Sequence, residues 1–368
     1  MEHIQKKKLL IVDDSAFMRK LITDFFADSK FIEVVGIARN GKDAIQKIKS
    51  LQPDVVTMDV EMPVMNGIDA LKEIMAKTPV AIVMLSSTTQ KGTESTLLAM
   101  EYGAVDFVAK PSGTISLDLH KIREELVVKV ENAANISITK MKRPQLVTEK
   151  SIIFSEVSKV TKPSIPLTSK LQNWNKQKKK MVLIGTSTGG PRALQEVITK
   201  LPKNIQAPVL IVQHMPAGFT KSLAVRLNQL AEIEVKEAEN GDILRNGYAY
   251  IAPGGYHLRL SKMGNVYTIV LDNIEPPRAG HRPSVDVLFE DNSQYNDFDK
   301  IAVIMTGMGS DGSAGLRKLE ESGNVVAIAE SANTCIVYGM PKAAIETNLV
   351  NEVVDLENIT QAILQYLP

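Results

Sequence analysis

MVLIGTSTGGPRALQEVI, residues 181–198, decides how the second half of the chain is read. The apolar run MVLI has the length of a short buried strand, and PRALQEVI repeats its apolar residues at spacings of three and four, the period of a helix. The turn between them, Gly185-Thr186-Ser187-Thr188-Gly189, matches G-x-S-x-G in the strand-turn-helix setting that gives the motif meaning. Glycines on both sides of the serine permit a tight turn and expose its oxygen. They also leave backbone amides at a helix N-terminus free to face a developing oxyanion, where each donor contributes about 2.7–4 kcal/mol in a transition state.

The alternation continues towards the C-terminus. PVLIVQHM, IAVIMTGM and NVVAIAE read as further parallel strands, separated by TKSLAVRLNQL, GSAGLRKLEES and MPKAAIETN as helices. The middle, from GDILRNGYAYIAP through YHLRLS to NVYTIVLD, alternates polar with apolar residues and predicts an antiparallel insertion or sheet extension. Towards the N-terminus, residues 135–178 lose all periodicity and fill with Lys, Ser, Thr and Pro, the composition of an interdomain linker. Its lysines, including Lys178, Lys179 and Lys180, read as a solvated run rather than a patch for nucleic acid or an acidic partner. Before it, KLLIVDD, IEVVGIA, PDVVTMDV, VAIVMLSS and VDFVAKP alternate with four helical segments, which predicts a five-stranded doubly wound parallel sheet. The fold class is therefore α/β twice over, the second unit carrying an antiparallel extension.

A length of 368 residues suits two domains. With 43 basic and 42 acidic residues there is no global field to draw nucleic acid or an anionic membrane. No stretch is long enough to insert in a membrane, and the apolar run in MEHIQKKKLLIVDDS is too short for a signal sequence. Cys335 is the only cysteine, so no intramolecular disulfide forms. It reads as a small buried residue in a cytoplasmic protein.

The first unit gathers acids at one edge. Asp13 and Asp14 end its first strand, Asp59 the third, Ser86 and Ser87 the fourth and Lys110 the fifth. Carboxyl ends of parallel strands are where open α/β sheets bind ligands, so these groups converge in one crevice. Three close carboxylates repel one another, and a hard divalent cation such as Mg²⁺ relieves that repulsion. One carboxylate is then free to attack phosphorus, with Lys110 neutralising the product. Acids that merely cap the following helices are the plainer alternative, and it accounts poorly for four strand ends together.

In the second unit Ser187 needs a base. Of five histidines, His3 and His120 lie outside this unit. His214 ends the next parallel strand and so shares the sheet edge with Ser187, whereas His257 falls inside an antiparallel strand. His281, in a loop before a helix, remains a competitor. For the orienting acid, Asp311 in MTGMGSDGSAG follows the strand IAVIM at that edge, with Asp242 and Asp286 as weaker rivals. The order Ser, His, Asp differs from that of ordinary α/β-hydrolases, so a convergent triad is implied. A phosphate-binding Rossmann-like turn competes with this reading. Yet the full G-x-G-x-x-G spacing is absent, and His214 stands where a ribose-binding acid belongs.

Residues 6–128 resemble the receiver domain of bacterial two-component response regulators, through LLIVDDS, TMDVEMPVMNG, MLSS and VAKP. Over nearly the whole chain, GTSTGGPRAL, QHMPAGFT, APGGYHL, GHRPSVDVLF and MTGMGSDG resemble the chemotaxis protein-glutamate methylesterases (CheB family). The resemblance implies a receiver over 1–128, a linker over 129–178 and a methylesterase domain over 179–368. It implies Asp59 as the phosphorylation site, Mg²⁺ held by Asp13, Asp14, Asp59 and the Glu61 carbonyl, and Ser86, Lys110 and Phe107 as residues responding to the phosphoryl group. In the esterase it implies Ser187 as nucleophile, His214 as base, Asp311 as orienting acid, and Thr188 and Met308 amides as the oxyanion hole, with no metal. The implied substrates are glutamate γ-methyl esters and particular glutamines on methyl-accepting chemotaxis receptors. The implied phosphodonor is the chemotaxis histidine kinase, and an unphosphorylated receiver is expected to cover the esterase cleft.

Overall fold

The computed structural model describes residues 5–110, 117–136, 174 and 177–368. In the first unit, β1 (Lys7–Val12), α1 (Ala16–Phe25), β2 (Ile32–Ala38), α2 (Gly41–Leu51), β3 (Val55–Asp59), α3 (Gly67–Lys77), β4 (Ala81–Ser86), α4 (Gln90–Glu101), β5 (Asp106–Ala109) and α5 (Leu117–Ala133) follow in order. The strands form one parallel sheet ordered β2-β1-β3-β4-β5. Leu9 to Val12 and the whole of β3 and β4 are buried, because helices cover both faces of a parallel sheet. Side chains of Ser15, Asn40, Asn66 and Thr89 cap the first four helices by accepting from amides three residues on, which fixes where each helix starts.

The second unit contains β6 (Lys180–Thr186), α6 (Gly190–Ile198), β7 (Val209–Gln213), α7 (Phe219–Leu230), β8 (Glu234–Glu237), β9 (Tyr248–Ile251), β10 (His257–Met263), β11 (Val266–Asp272) and α8 (Val285–Asn292). It ends with β12 (Asp299–Ile304), α9 (Ser313–Glu320), β13 (Val325–Glu330), α10 (Met340–Glu346), β14 (Glu352–Val354) and α11 (Leu356–Gln365). Seven strands run in the order β14-β13-β12-β6-β7-β9-β8, with every pairing parallel. The chain winds from β6 one way to β7 and later the other way to β12, so β6 stands at the switch point where open α/β sheets form their crevice.

The expected antiparallel extension is present only in part. β10 and β11 pair antiparallel as a separate hairpin, with His257 opposite Asp272. GYAYIAP instead adds a parallel strand, β9, to the main sheet beside β7, and β8 joins parallel beyond it. The alternation of polar and apolar residues in β9 comes from its tyrosines, of which Tyr248 is half-buried and Tyr250 only 2% exposed, its hydroxyl donating to Ile243 O. The linker expected over 129–178 falls largely on residues 137–173, outside the described ones. α5 itself continues to Ala133, and Trp174 stacks over Lys180 and donates from Nε1 to Tyr366 O.

The two units pack together. One apolar cluster runs from the α2 to α4 side of the first sheet into the α6, α7 and α11 side of the second. Phe107 of β5 stacks on Phe219 of α7 at a centroid distance of 4.5 Å. Arg226 donates to both oxygens of Glu101, and the hydroxyls of Thr93 and Ser222 share a 2.7 Å hydrogen bond.

Candidate functional site

The turn after β6 is fixed by its neighbours. Ser187 N–H donates to Thr306 O (3.0 Å), and Thr306 Oγ1 donates to Thr188 O (2.9 Å), tying the serine turn to the loop after β12. Gln213 Nε2 donates to Ser187 O, while its Oε1 accepts from Thr186 Oγ1. Gly307 is pressed so close that a Cβ there would come 2.8 Å from the Ser187 Cβ. Gly189 starts α6 at φ +78°, a conformation costly for any other residue. Among the described residues the Thr188 and Met308 amides have no protein acceptor.

His214 follows β7 and Asp311 follows β12, the two strands flanking β6. Their side chains meet: His214 Nε2 lies 2.7 Å from Asp311 Oδ2, and both are almost wholly buried. Nδ1 is thereby the ring atom left for a hydroxyl, and it is buried without a partner. Asp311 also accepts from Ser284 Oγ (2.9 Å), Val285 N (2.7 Å) and Asp286 N (2.9 Å). Burial opposes its charge, but the bond from His214 and those backbone amides hold the carboxyl well below the usual carboxylate range.

The rival residues are sorted by geometry. His281 lies flat on His214, ring centroids 3.8 Å apart and planes at 6°, but the carboxylate contact belongs to His214. Burial, reinforced by the neighbouring imidazole, pushes His281 down to about 4, so it is neutral at pH 7. His257 faces Pro276 O instead, and Asp242 binds Lys236 and Glu239 N. Asp286 reaches the site as a neighbour of Asp311, with burial pushing it up to about 6.

Glu330 was not singled out in the sequence, although the acid ending NVVAIAE was a visible signal at the same edge. It is fully buried, and its carboxylate accepts from Thr306 N (2.8 Å) and Thr334 Oγ1 (3.0 Å), so it holds the residue that holds the Ser187 turn. Burial pushes its pKa up to about 7. A folded-state pKa above the unfolded value near 4.3 gives stability that is present below pH 4.3 and lost as pH rises through 7. Glu330→Gln should therefore flatten the fall in Tm between pH 5 and 8, by up to about 3 kcal/mol of stability at the upper end. Identical pH dependence of the two proteins in calorimetry would exclude the shift.

In the first unit Lys110 Nζ bridges Asp59 Oδ2 (2.8 Å) and Asp13 Oδ2 (3.0 Å), and Glu61 N–H donates to Asp59 Oδ1. Burial pushes Asp59 up to about 6, with Lys110 opposing. Oxygens of Asp13, Asp14 and Asp59 lie within 4.8 Å of one another, an all-oxygen acidic set that fits a hard divalent cation. Ser86 Oγ bonds Gly92 O (3.0 Å) and Thr96 Oγ1 (2.5 Å), while Ser87 Oγ pairs with Thr89. Phe107 is buried in the apolar cluster shared by the two units and stacks on Phe219 of the second.

The first unit also touches the serine site directly. Thr188 Oγ1 donates to Asp106 Oδ2 at the start of β5, and Asn132 of α5 abuts the Met308 sulfur. Lys129 is held by Asp106 and Glu125 and donates to Phe107 O.

Two parallel sheets, one gathering three carboxylates and a lysine in a pocket fit for a cation and the other a serine turn beside an imidazole and carboxylate, define a response regulator whose output domain is an enzyme. Residues 182–363 match the CheB methylesterase family and residues 9–121 the response regulator receiver domain. The chain is 53% identical over 360 residues to a protein-glutamate methylesterase/protein-glutamine glutaminase of Geobacillus kaustophilus, covering 98% of each. It is 54% identical over 360 residues to that of Halalkalibacterium halodurans, covering 97% of each. The crystal structure of the Thermotoga maritima CheB methylesterase catalytic domain matches 51% of this chain and 98% of its own, at 43% identity and a TM-score of 0.49. The chain belongs to the CheB family, and its activities are those of a protein-glutamate methylesterase and protein-glutamine glutaminase. Its receiver domain implies Mg²⁺ at the acid pocket. Among the described residues no helix is long and apolar enough to cross a membrane.

Proposed function

We propose that Ser187 attacks the γ-methyl ester of receptor glutamates, with His214 taking its proton and Asp311 orienting the ring. The observation that carries this reading is the 2.7 Å contact between His214 and Asp311 on the strands either side of the Ser187 turn. Nδ1 of His214 accepts the hydroxyl proton while Nε2–H donates to Asp311, which keeps the ring in that tautomer. The carbonyl oxygen, now an oxyanion, is met by the Thr188 and Met308 amides. His214 then protonates the leaving methoxide, methanol departs, and water activated by the same ring releases glutamate. A glutamine side chain follows the same path with ammonia leaving. No metal takes part at this site.

The receiver, over residues 1–128, restrains the enzyme over 179–368 until Asp59 is phosphorylated by the chemotaxis histidine kinase in the cytoplasm; residues 129–178 join them. Asp13, Asp14, Asp59 and the Glu61 carbonyl hold Mg²⁺, which when bound offsets the charge of the acids and of the incoming phosphoryl oxygens. Lys110 pairs with the product, and Ser86 leaves its present bonds to meet it. Restraint is supported by the receiver's grip on the oxyanion residues themselves: Asp106 on Thr188 and Asn132 on Met308. Phe107 moves with them, because it is wedged against Phe219.

The test is methanol release from methylated receptor membranes before and after phosphorylation by a small-molecule phosphodonor. Coupling of this kind is typically worth about 1–3 kcal/mol, so activation of roughly 5–150-fold is expected, and none for Asp59→Asn. Glu101→Arg, which sets two cations face to face at Arg226, should raise the unphosphorylated rate. If neither phosphorylation nor Glu101→Arg changed the rate, restraint by docking would be wrong.

A further inference from the structure

We infer that Asp286 is a positioning residue for the esterase reaction, clamping the turn that carries Asp311. This rests on the reading of Ser187, His214 and Asp311 given above. Asp286 Oδ1 accepts from Gly312 N (2.8 Å) and Gly315 N (2.6 Å), the first amides of α9. Asp311, in the turn leading into α9, accepts in return from the first amides of α8, including that of Asp286 itself. Asp286, in the first turn of α8, thus caps α9, and Asp311, in the turn before α9, caps α8. Caps of this kind satisfy amides that a helix end otherwise leaves unpaired.

The geometry makes the clamp tight. A Cβ at Gly315 would lie 2.7 Å from both the Cα and the O of Asp286, so the two helix ends meet backbone to backbone. Gly312 is held at φ +98°, and its Cβ would come 2.9 Å from Val285. The turn that carries Asp311 cannot shift relative to α8 without breaking the bonds of Gly312 and Gly315 to Asp286. Asp286 has no bond to His214, so its influence on the reaction passes through Asp311.

Asp286→Ala in the full chain should lower kcat for methanol release about 10- to 100-fold at nearly unchanged KM, since a displacement near 1 Å in a catalytic group costs rates of that order. Asp286→Asn keeps an acceptor oxygen for both glycine amides and should restore kcat to within about threefold of the wild type. A capping role without consequence for catalysis would lower Tm but leave kcat per folded molecule, counted by calorimetry, unchanged; that result overturns the inference. So does an Asp286→Asn protein as slow as Asp286→Ala. If Asp286→Ala fails to fold, Asp286→Glu decides. Its extra methylene pushes the turn, so kcat should fall at constant KM, and a wild-type kcat overturns the clamp. Ser187→Ala separates the two readings. If it is fully active, the nucleophile reading fails and this inference with it; if it is inactive beside an unimpaired Asp286→Ala, only this inference fails.

Discussion

Methanol release from methylated receptor membranes will fall by about 10⁶-fold in Ser187→Ala, the loss typical of removing the nucleophile from a serine hydrolase. No neighbouring hydroxyl can substitute. Thr186 Oγ1 is spent on Gln213, Thr306 Oγ1 on Thr188 O, and Thr188 Oγ1 on Asp106. What survives is the polarisation of the carbonyl by the oxyanion amides, which alone gives about 10³–10⁴-fold over water. Alanine removes an oxygen that makes none of the bonds fixing the turn, which come from the Ser187 amide and from Thr306 and Gln213, so the fold should be unaffected and Tm should barely move. A fluorophosphonate will label the wild type at residue 187 and leave the variant unlabelled. Equal methanol release from the two proteins would remove the nucleophile from this reading.

Asp311→Asn should cost about 10⁴-fold in kcat, because an amide cannot satisfy all four donors that meet the carboxylate. With its oxygen at the Oδ2 position, the amide still accepts from His214 and Val285, but its NH₂ then confronts the Asp286 amide. Turned round, it spares Asp286 but presents hydrogen to His214, which must flip its tautomer and lose the lone pair on Nδ1. Either orientation buries a donor against a donor, a penalty of about 1–3 kcal/mol in stability as well. The kinetic signature is a loss in kcat greater than any change in KM. An Asp311→Asn protein with wild-type kcat would show that Asp311 orients nothing.

Much of this arrangement was legible before any coordinates. Parallel strands buried on both faces announce themselves as unbroken apolar runs, so KLLIV, VAIVML and MVLI could be assigned, and with them the sheet edges on which Asp59, Ser187 and His214 sit. Asp311 was legible because glycines crowd around it after a strand. What escaped was set by long-range contact. β9 reads as amphipathic because a tyrosine carries a hydroxyl, yet that hydroxyl finds a carbonyl inside the protein. The flat contact of His281 on His214 joins a loop to a strand end 67 positions away in number, and periodicity carries no record of it. Glu330 looked like any acid closing a strand, since only the fold reveals that water never reaches it. Contacts between the units, Asp106 to Thr188 above all, follow from how two independent surfaces meet, and no local pattern encodes that.

The packing of Phe107 on Phe219, with the few polar bonds around it, joins two bodies that are also joined by their own chain. Attachment through one chain presents each unit to the other at an effective concentration in the millimolar range. The receiver therefore needs only a weak intrinsic affinity to stay seated, so weak that the same two pieces, cut apart and diluted to micromolar levels, would mostly drift free of each other. Weakness of that order is what the proposed restraint requires, since a single phosphoryl group would have only a few kcal/mol with which to tip the balance.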